Sequence, residues 1–193
     1  MQQVFWHAGP VTRADRERAN QHRGATVWLT GLPASGKSTL ARELEQRLFA
    51  RGCQVIVLDG DNLRHGLNAN LGFSRADREE NVRRVAEVAK LLAANGVIAL
   101  AALISPYRAG RERARLAQPE DFIEVHLRCP LEVCARRDPK GLYARARAGL
   151  LREFTGIDDP YEKPEAPALV LDTSAEAPEA CALRLLALRA ARG

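Results

Sequence analysis

The nine residues from Gly31 to Thr39, GLPASGKST, contain the pattern GxxxxGK[ST] and limit the possible folds more than any other part of the sequence. An apolar, β-rich run, Thr26–Thr30, comes directly before them, and a helical pattern begins at Lys37. A glycine-rich loop between a strand and a helix aims backbone N–H groups inward, where the helix N-terminus adds partial positive charge. The segment therefore predicts a site for the phosphates of a nucleoside triphosphate.

Within this loop, Lys37 is expected to reach the β- and γ-phosphates, and Ser38 is expected to be a ligand of Mg²⁺. The remaining nucleotide-binding residues are expected to be Gly31, Ala34, Ser35, Gly36 and Thr39. The alternative is a simple glycine turn with a capping serine. The flanking strand and helix favour the phosphate-binding loop.

Short apolar runs alternate with helical patterns along the rest of the chain. Strands are predicted at Thr26–Thr30, Gln54–Asp59, Val97–Ile104, Asp121–Leu127 and Ala168–Asp172. Helices are predicted at Lys37–Arg51, Arg78–Asn95, Arg108–Ala117, Leu131–Arg137, Leu142–Glu153 and Ala177–Ala191. Because near-continuous apolar strands suit a sheet covered on both faces, we predict an α/β fold with a doubly wound, mostly parallel sheet of about five strands.

Residues 1–24 are polar and lack a sustained apolar period, so they are predicted to form an arm that lies either on the surface of a single domain at 25–193 or on a partner. Trp6 argues against a wholly loose arm. The segment Thr155–Pro167, rich in proline and acidic residues, is predicted to be an ordered irregular loop.

Composition bears on the cellular setting. The chain is 46% hydrophobic and 27% charged, no window approaches the roughly 18 apolar residues of a membrane span, and the N-terminus lacks the apolar core of a signal peptide. We therefore expect a cytoplasmic protein without a membrane partner. Cys53, Cys129, Cys134 and Cys181 lack CxxC spacing, so reduced thiols are expected rather than a zinc site.

The loop alone does not identify the molecule that accepts the phosphoryl group. The chain is short for a motor domain and has no guanine-reading NKxD run, which leaves a small-molecule kinase as the natural class. A nucleic-acid-binding protein switched by ATP is the rival from another class. The net charge of +5 is compatible with it, but the arginines are spread out and no basic tail or nucleic-acid motif is visible, so no nucleic-acid partner is expected.

Several longer motifs narrow the class. The runs LDGDNLRHGLN from Leu58, LGFS from Leu71, DREENVRR from Asp77, ISPYR from Ile104, RDPKGLY from Arg137 and FTGIDDPYE from Phe154 resemble the adenylylsulfate kinase family. The resemblance runs from about Trp6 to Asp172 and is to the stand-alone kinase without a sulfurylase domain. It implies phosphorylation of the 3′-hydroxyl of adenosine 5′-phosphosulfate by ATP and Mg²⁺, in a homodimer. Other small-molecule kinases, acting on nucleosides, gluconate or shikimate, are the alternatives.

The resemblance also suggests roles for polar residues. Asp59 is expected to bind Mg²⁺, and Asp61 is expected to accept a hydrogen bond from the attacking hydroxyl, with helix capping as the alternative for Asp61. Arg64, Arg78 and Asn81 are expected to hold the phosphosulfate, since guanidinium groups suit adjacent tetrahedral anions. For Arg78 the alternative is a surface ion pair.

Four further positions complete the expected acceptor site. Phe73 and Phe154, in polar surroundings, are predicted to stack on the two faces of the acceptor adenine, unless each only pins its loop to the core. Ile104 and Ser105 are expected to line the site at the end of the third strand. Ser105 is interpreted as a substrate-binding residue, with a phosphoserine intermediate as the alternative.

A mobile cationic segment is expected to close over both nucleotides. Lys140 is expected to lie near the transferred phosphoryl group or the ribose, and Arg137 to lie against the adenine of ATP. The loop differs from the common family sequence at Pro33-Ala34, where Ser-Gly is usual. Because Pro33 lacks a backbone N–H, we expect this difference to affect the affinity for ATP more than the activity.

Overall fold

A computed structural model describes residues 4–5 and 7–191, so the prediction for Trp6 lies outside the described residues. The strands are β1 Ala25–Thr30, β2 Val55–Asp59, β3 Ile98–Ala102, β4 Phe122–Arg128 and β5 Leu169–Asp172. The helices are α1 Arg13–Asn20, α2 Lys37–Phe49, α3 Gly60–Leu63, α4 Arg75–Ala94, α5 Arg108–Leu116, α6 Leu131–Arg137, α7 Leu142–Arg147 and α8 Pro178–Ala190.

The five strands form one parallel sheet in the order β2-β3-β1-β4-β5. This confirms the predicted fold class. β1 is the central strand, pairing with β3 through Trp28 and Ala101 and with β4 through Trp28 and Glu124. Because the strands are parallel, their carboxyl ends meet at one edge of the sheet, where the loops can share a ligand.

Helices cover both faces of the sheet. On one face, α2 and α8 bury Leu40, Leu44 and Leu185 against the strands. On the other, α4 contributes Val85 and Ala89 to a cluster around the fully buried Trp28. This double cover explains why β1 and β3 are buried along their whole length.

The arm contains a helix, α1, that the sequence pattern does not predict. Thr12 caps it and exchanges hydrogen bonds with Asp15. Arg13 then donates two hydrogen bonds, of 2.6 and 2.7 Å, to the carboxylate of Asp121 at the start of β4. Since α1 has no buried residue, polar contacts of this kind hold it to the domain.

Other boundaries differ by a few residues. α4 begins at Arg75 rather than Arg78, because Ser74 accepts a hydrogen bond from the backbone N–H of Asp77 and caps the helix. The helix predicted from Leu142 to Glu153 ends at Arg147, and Gly149 has a φ of 71°, which a right-handed helix does not accommodate. All four cysteines are free. Across residues 4–5 and 7–191, we find no helix long and apolar enough to cross a membrane.

Candidate functional site

A cavity of about 550 Å³ opens at the carboxyl ends of the strands. It runs from the loop after β1, past the ends of β2 and β3, to α4, and the segment joining α6 to α7 borders it. All the residues predicted for the site line it except Gly31, Ser35 and Phe154. Its size and its position in a parallel sheet are typical of a small-molecule site.

Two positions in the loop from Gly31 to Gly36 restrict which residue can stand there, Gly31 by close packing and Ala34 by its backbone conformation. A Cβ atom at Gly31 would lie 2.7 Å from the carbonyl oxygen of Leu127, so Gly31 serves packing. Ala34 has a φ of 59°, a left-handed conformation that is strained for alanine. The departure from the common family sequence therefore places strain in the loop at Ala34, besides the N–H that Pro33 lacks.

Lys37, the first residue of α2, folds back over the loop. Its Nζ donates hydrogen bonds to the carbonyl oxygens of Gly31, at 3.0 Å, and Leu32, at 2.7 Å. Burial lowers the pKa of Lys37 to about 8. A phosphate group in the cavity would bring negative charge against this ammonium group and so offset the cost of its burial.

Ser38 and Asp59 lie side by side, with the Ser38 hydroxyl donating to Asp59 Oδ2 at 2.6 Å. The other carboxylate oxygen of Asp59 accepts from the backbone N–H groups of Asp61, at 3.0 Å, and Asn62, at 3.4 Å. Asp59, rather than Asp61, is therefore the cap of α3, which overturns the capping alternative for Asp61.

The side chain of Asp61 is 65% exposed and forms an ion pair with Lys140. The two residues are 79 positions apart, and their contact joins the segment between α6 and α7 to the end of β2. Thus a carboxylate and an ammonium group face each other at the cavity, a pairing that no sequence pattern predicts, and closure of the segment over bound nucleotides stays a prediction.

At the far end of the cavity, cations surround an exposed ring. The Arg64 guanidinium lies 4.2 Å from the centre of the Phe73 ring, and that of Arg78 lies 5.7 Å from it. Phe73 is 54% exposed. Arg78 is buried and donates to the carbonyl oxygens of Phe73 and Glu153, at 2.8 and 2.5 Å. It is therefore not part of a surface ion pair, which was the alternative for this residue.

Phe154 has a different environment. Phe154 is 6% exposed, and its ring meets the ring of Tyr143 edge-on, with centres 4.9 Å apart. The Arg78 bond to Glu153 keeps this segment beside the cavity. In this arrangement the structure does not bring the two phenylalanine rings together, and stacking of Phe154 on a base stays a prediction.

Ser105 lies in a turn after β3, which ends at Ala102, two residues before Ile104. Its φ is 41°, a left-handed conformation, and its hydroxyl accepts a 3.1 Å hydrogen bond from Trp28 Nε1. The buried Arg111 donates to the Ser105 carbonyl oxygen at 2.6 Å and to Glu124 at 2.8 Å. The turn is therefore fixed by groups that are themselves anchored in the core.

The end of the cavity nearest the phosphate-binding loop includes Arg137, which donates a hydrogen bond to the carbonyl oxygen of Thr173 at 2.5 Å. The Thr173 hydroxyl in turn donates to the carbonyl oxygen of Ser35 at 2.9 Å, and the Tyr143 hydroxyl donates to that of Pro33 at 3.0 Å. Thr173 and Tyr143 thus support the loop, a role that is not predicted from the sequence. No local pattern marks them, although Tyr143 belongs to the RDPKGLY run.

Comparisons with known proteins bear on this site. A sequence model described as adenylylsulphate kinase matches residues 23–172. An adenylyl-sulfate kinase of Geotalea uraniireducens (strain Rf4) is 53% identical over 194 residues, which cover 98% of this chain and 93% of the relative. An adenylyl-sulfate kinase of Geotalea daltonii is 56% identical over 172 residues, covering 89% and 85%.

A solved structure is also similar. It is that of the Mycobacterium tuberculosis APS kinase in complex with AMPPNP and APS, which superposes with a TM-score of 0.83 at 51% identity. The match covers 86% of this chain and 97% of that one.

Proposed function

This chain belongs to the adenylylsulphate kinase family, and we propose that it transfers the γ-phosphate of ATP to the 3′-hydroxyl of adenosine 5′-phosphosulfate. The products are 3′-phosphoadenosine 5′-phosphosulfate and ADP. The observation that carries the proposal is the single cavity that joins the phosphate-binding loop to the cationic pocket around Phe73.

ATP occupies the end of the cavity formed by the loop. Its phosphates take the place of the two carbonyl oxygens that Lys37 now contacts, while Arg137 lies near the adenine. The transferring phosphoryl group needs positioning and neutralisation of its charge more than covalent help from the protein. Lys37, with its buried ammonium group, is suited to this task.

The donor set at Ser38 and Asp59 fits Mg²⁺. A hydroxyl and a carboxylate oxygen lie 2.6 Å apart at the cavity wall, and Mg²⁺ typically takes one or two protein oxygens together with phosphate oxygens and water. When bound there, Mg²⁺ would supply charge neutralisation at the β- and γ-phosphates. Asp59 holds its carboxylate in place through the bonds that cap α3.

Asp61 accepts the hydrogen bond of the attacking 3′-hydroxyl. Its exposed carboxylate can leave Lys140 for that hydroxyl, which frees Lys140 for the incoming phosphoryl group or the ribose. The ion pair thus keeps both groups at the cavity mouth before the substrates arrive.

The acceptor lies at the opposite end. Arg64, Arg78 and Asn81 hold the phosphosulfate, and the exposed ring of Phe73 stacks on the adenine. Phe154 supplies the second face after turning away from Tyr143. The buried Ser105, whose hydroxyl is engaged by Trp28, supports the wall of this pocket with Ile104, and transfer is direct rather than through a phosphoserine.

Two further properties belong to the proposal. We expect a homodimer, as the family resemblance implies. We also expect the protein to reside in a reducing cytoplasm, because thiols stay reduced there and the four cysteines are free.

A coupled assay of ADP release tests the function. Adenosine 5′-phosphosulfate is compared with AMP, adenosine, gluconate and shikimate as acceptors. We expect turnover with the phosphosulfate far above that with any other compound. ADP release that is equally fast with and without an acceptor would refute the assignment.

A further inference from the structure

Asn68 lies in the turn between α3 and α4, and its side chain is fully buried. Its Nδ2 donates a 2.7 Å hydrogen bond to Oδ1 of Asn81. Asn81 is on α4 and lines the acceptor end of the cavity, whereas Asn68 does not line it. The hydrogen bond to Asn81 therefore links Asn68 to the cavity.

The bond determines which way the Asn81 amide faces. A carboxamide has an oxygen that accepts and an NH₂ group that donates two hydrogen bonds. Because Asn68 engages the Asn81 oxygen, the NH₂ group is the part left for a ligand. A phosphosulfate only accepts hydrogen bonds from protein donors, so it requires this orientation.

We propose that Asn68 is a positioning residue that holds the NH₂ group of Asn81 toward the phosphosulfate and thereby contributes to selection of an anionic acceptor. The inference rests on the proposed function, in which Asn81 contacts that group. It adds to that function a reason why the neutral side chain of Asn81 donates hydrogen bonds to the ligand rather than accepting them.

The other half of the Asn68 amide supports a positioning role. Its Oδ1 is buried and has no hydrogen-bond partner among the described residues. A buried acceptor without a donor lowers stability, so an apolar residue of similar size would suit the free protein at least as well. For the stability of the fold alone, asparagine has little advantage over an apolar residue at this position. Orienting Asn81, in contrast, requires the NH₂ group of Asn68.

Two substitutions separate orientation from packing. Asn68→Leu keeps the volume but removes the donor, which frees the Asn81 amide to rotate. Asn68→Asp offers a carboxylate, which accepts from the Asn81 NH₂ group and turns the Asn81 oxygen toward the anion. Asn70→Leu is the matched control, because Asn70 lies in the same turn but accepts a 2.8 Å bond from Arg84 on the exposed side.

The measurements are the KM for adenosine 5′-phosphosulfate at saturating ATP, the KM for ATP, and the thermal unfolding of each free protein. For Asn68→Leu we expect the acceptor KM to rise roughly tenfold, because one hydrogen bond to a charged group is lost. Asn68→Asp should raise it further. The ATP KM and the Tm of Asn68→Leu, and all values for Asn70→Leu, should stay near wild type. If Asn68→Leu does not fold, Asn68→Ala takes its place, because alanine also lacks the side-chain donor.

A double-mutant cycle decides the inference. Since Asn68 acts through Asn81, adding Asn68→Leu to Asn81→Ala should cause no further rise in acceptor KM. An equal rise in both backgrounds, or an unchanged acceptor KM in Asn68→Leu alone, would overturn the positioning role. An unchanged acceptor KM in Asn81→Ala would overturn it too, by removing Asn81 from the site. The proposed function fails separately, if the wild-type protein phosphorylates no adenosine 5′-phosphosulfate.

Discussion

We expect Phe73→Leu and Phe154→Leu to weaken acceptor binding to different extents, because only one of the two rings is available in the free protein. Phe73 is 54% exposed at the cavity, so its ring does not have to leave the core to stack on the acceptor, although the Arg64 guanidinium lies over it at 4.2 Å. Losing that stack should cost about 1–3 kcal/mol, a roughly 5- to 150-fold rise in the acceptor KM. The fold should be little affected, since the ring is half exposed.

Phe154 must first leave its contact with Tyr143, whose ring centre lies 4.9 Å away. An aromatic pair of this kind is worth about 0.5–1.5 kcal/mol, which offsets part of the stacking energy. The net contribution is then about 1 kcal/mol, and Phe154→Leu should raise the acceptor KM about fivefold. Leucine keeps most of the buried volume, so the loss of stability should stay below about 1.5 kcal/mol.

The assay is acceptor titration at saturating ATP, with ATP titration and thermal unfolding of each protein. Phe154→Ala serves as the control for burial, since emptying this site should lower the free energy of unfolding by about 3–5 kcal/mol. If Phe154→Leu leaves the acceptor KM unchanged, Phe154 only pins its loop. If both leucine variants raise the KM for ATP instead, the two nucleotide pockets are assigned the wrong way round.

Lys37→Ala and Ser38→Ala should each abolish turnover while circular dichroism stays native, and a variant keeping most of its kcat would refute the role. Because burial lowers the pKa of Lys37 to about 8, its ammonium group is charged below that pH and neutral above it. ATP binding should therefore take up a proton above pH 8, and the ATP Kd measured by calorimetry should rise toward tenfold per pH unit. The same slope in Lys37→Ala would show that another group causes the pH dependence. Asp61→Asn should lower kcat far more than ATP affinity, and a pure affinity defect would argue against its role at the attacking hydroxyl. Arg78→Ala should weaken adenosine 5′-phosphosulfate more than adenosine in competition titrations, and equal weakening of both would show that Arg78 does not contact the anion.

Sequence reasoning recovers the sheet and the phosphate-binding loop because their signals are local. Buried parallel strands are continuous apolar runs, and the loop pattern specifies its own backbone. The strand Phe122–Arg128, for example, differs from its predicted bounds by one residue at each end.

The missed features depend on residues far apart in the chain. Helix α1 has no apolar face to predict it and is held by Arg13 and Asp121, which are 108 positions apart. The ion pair between Asp61 and Lys140 likewise forms only once the sheet edge brings two loops together. A pattern of side chains along one segment carries no information about such contacts.

Burial explains the other differences at the site. Phe154 stands in a polar run, which favours an exposed ring, yet the neighbouring Tyr143 covers it. For Asp59 and Asp61 the residue type alone does not decide which one caps α3. The backbone geometry after β2 decides it, by aiming two N–H groups at Asp59.

The most direct test of the account follows the phosphorus atom itself. The protein is incubated with Mg²⁺, ATP labelled at the γ-phosphate and adenosine 5′-phosphosulfate, and the product is identified by phosphorus NMR and mass spectrometry. We predict one labelled phosphoryl group on the 3′-oxygen of the intact phosphosulfate for every ADP formed. Label found as free phosphate, or on any other atom of the acceptor, would contradict it.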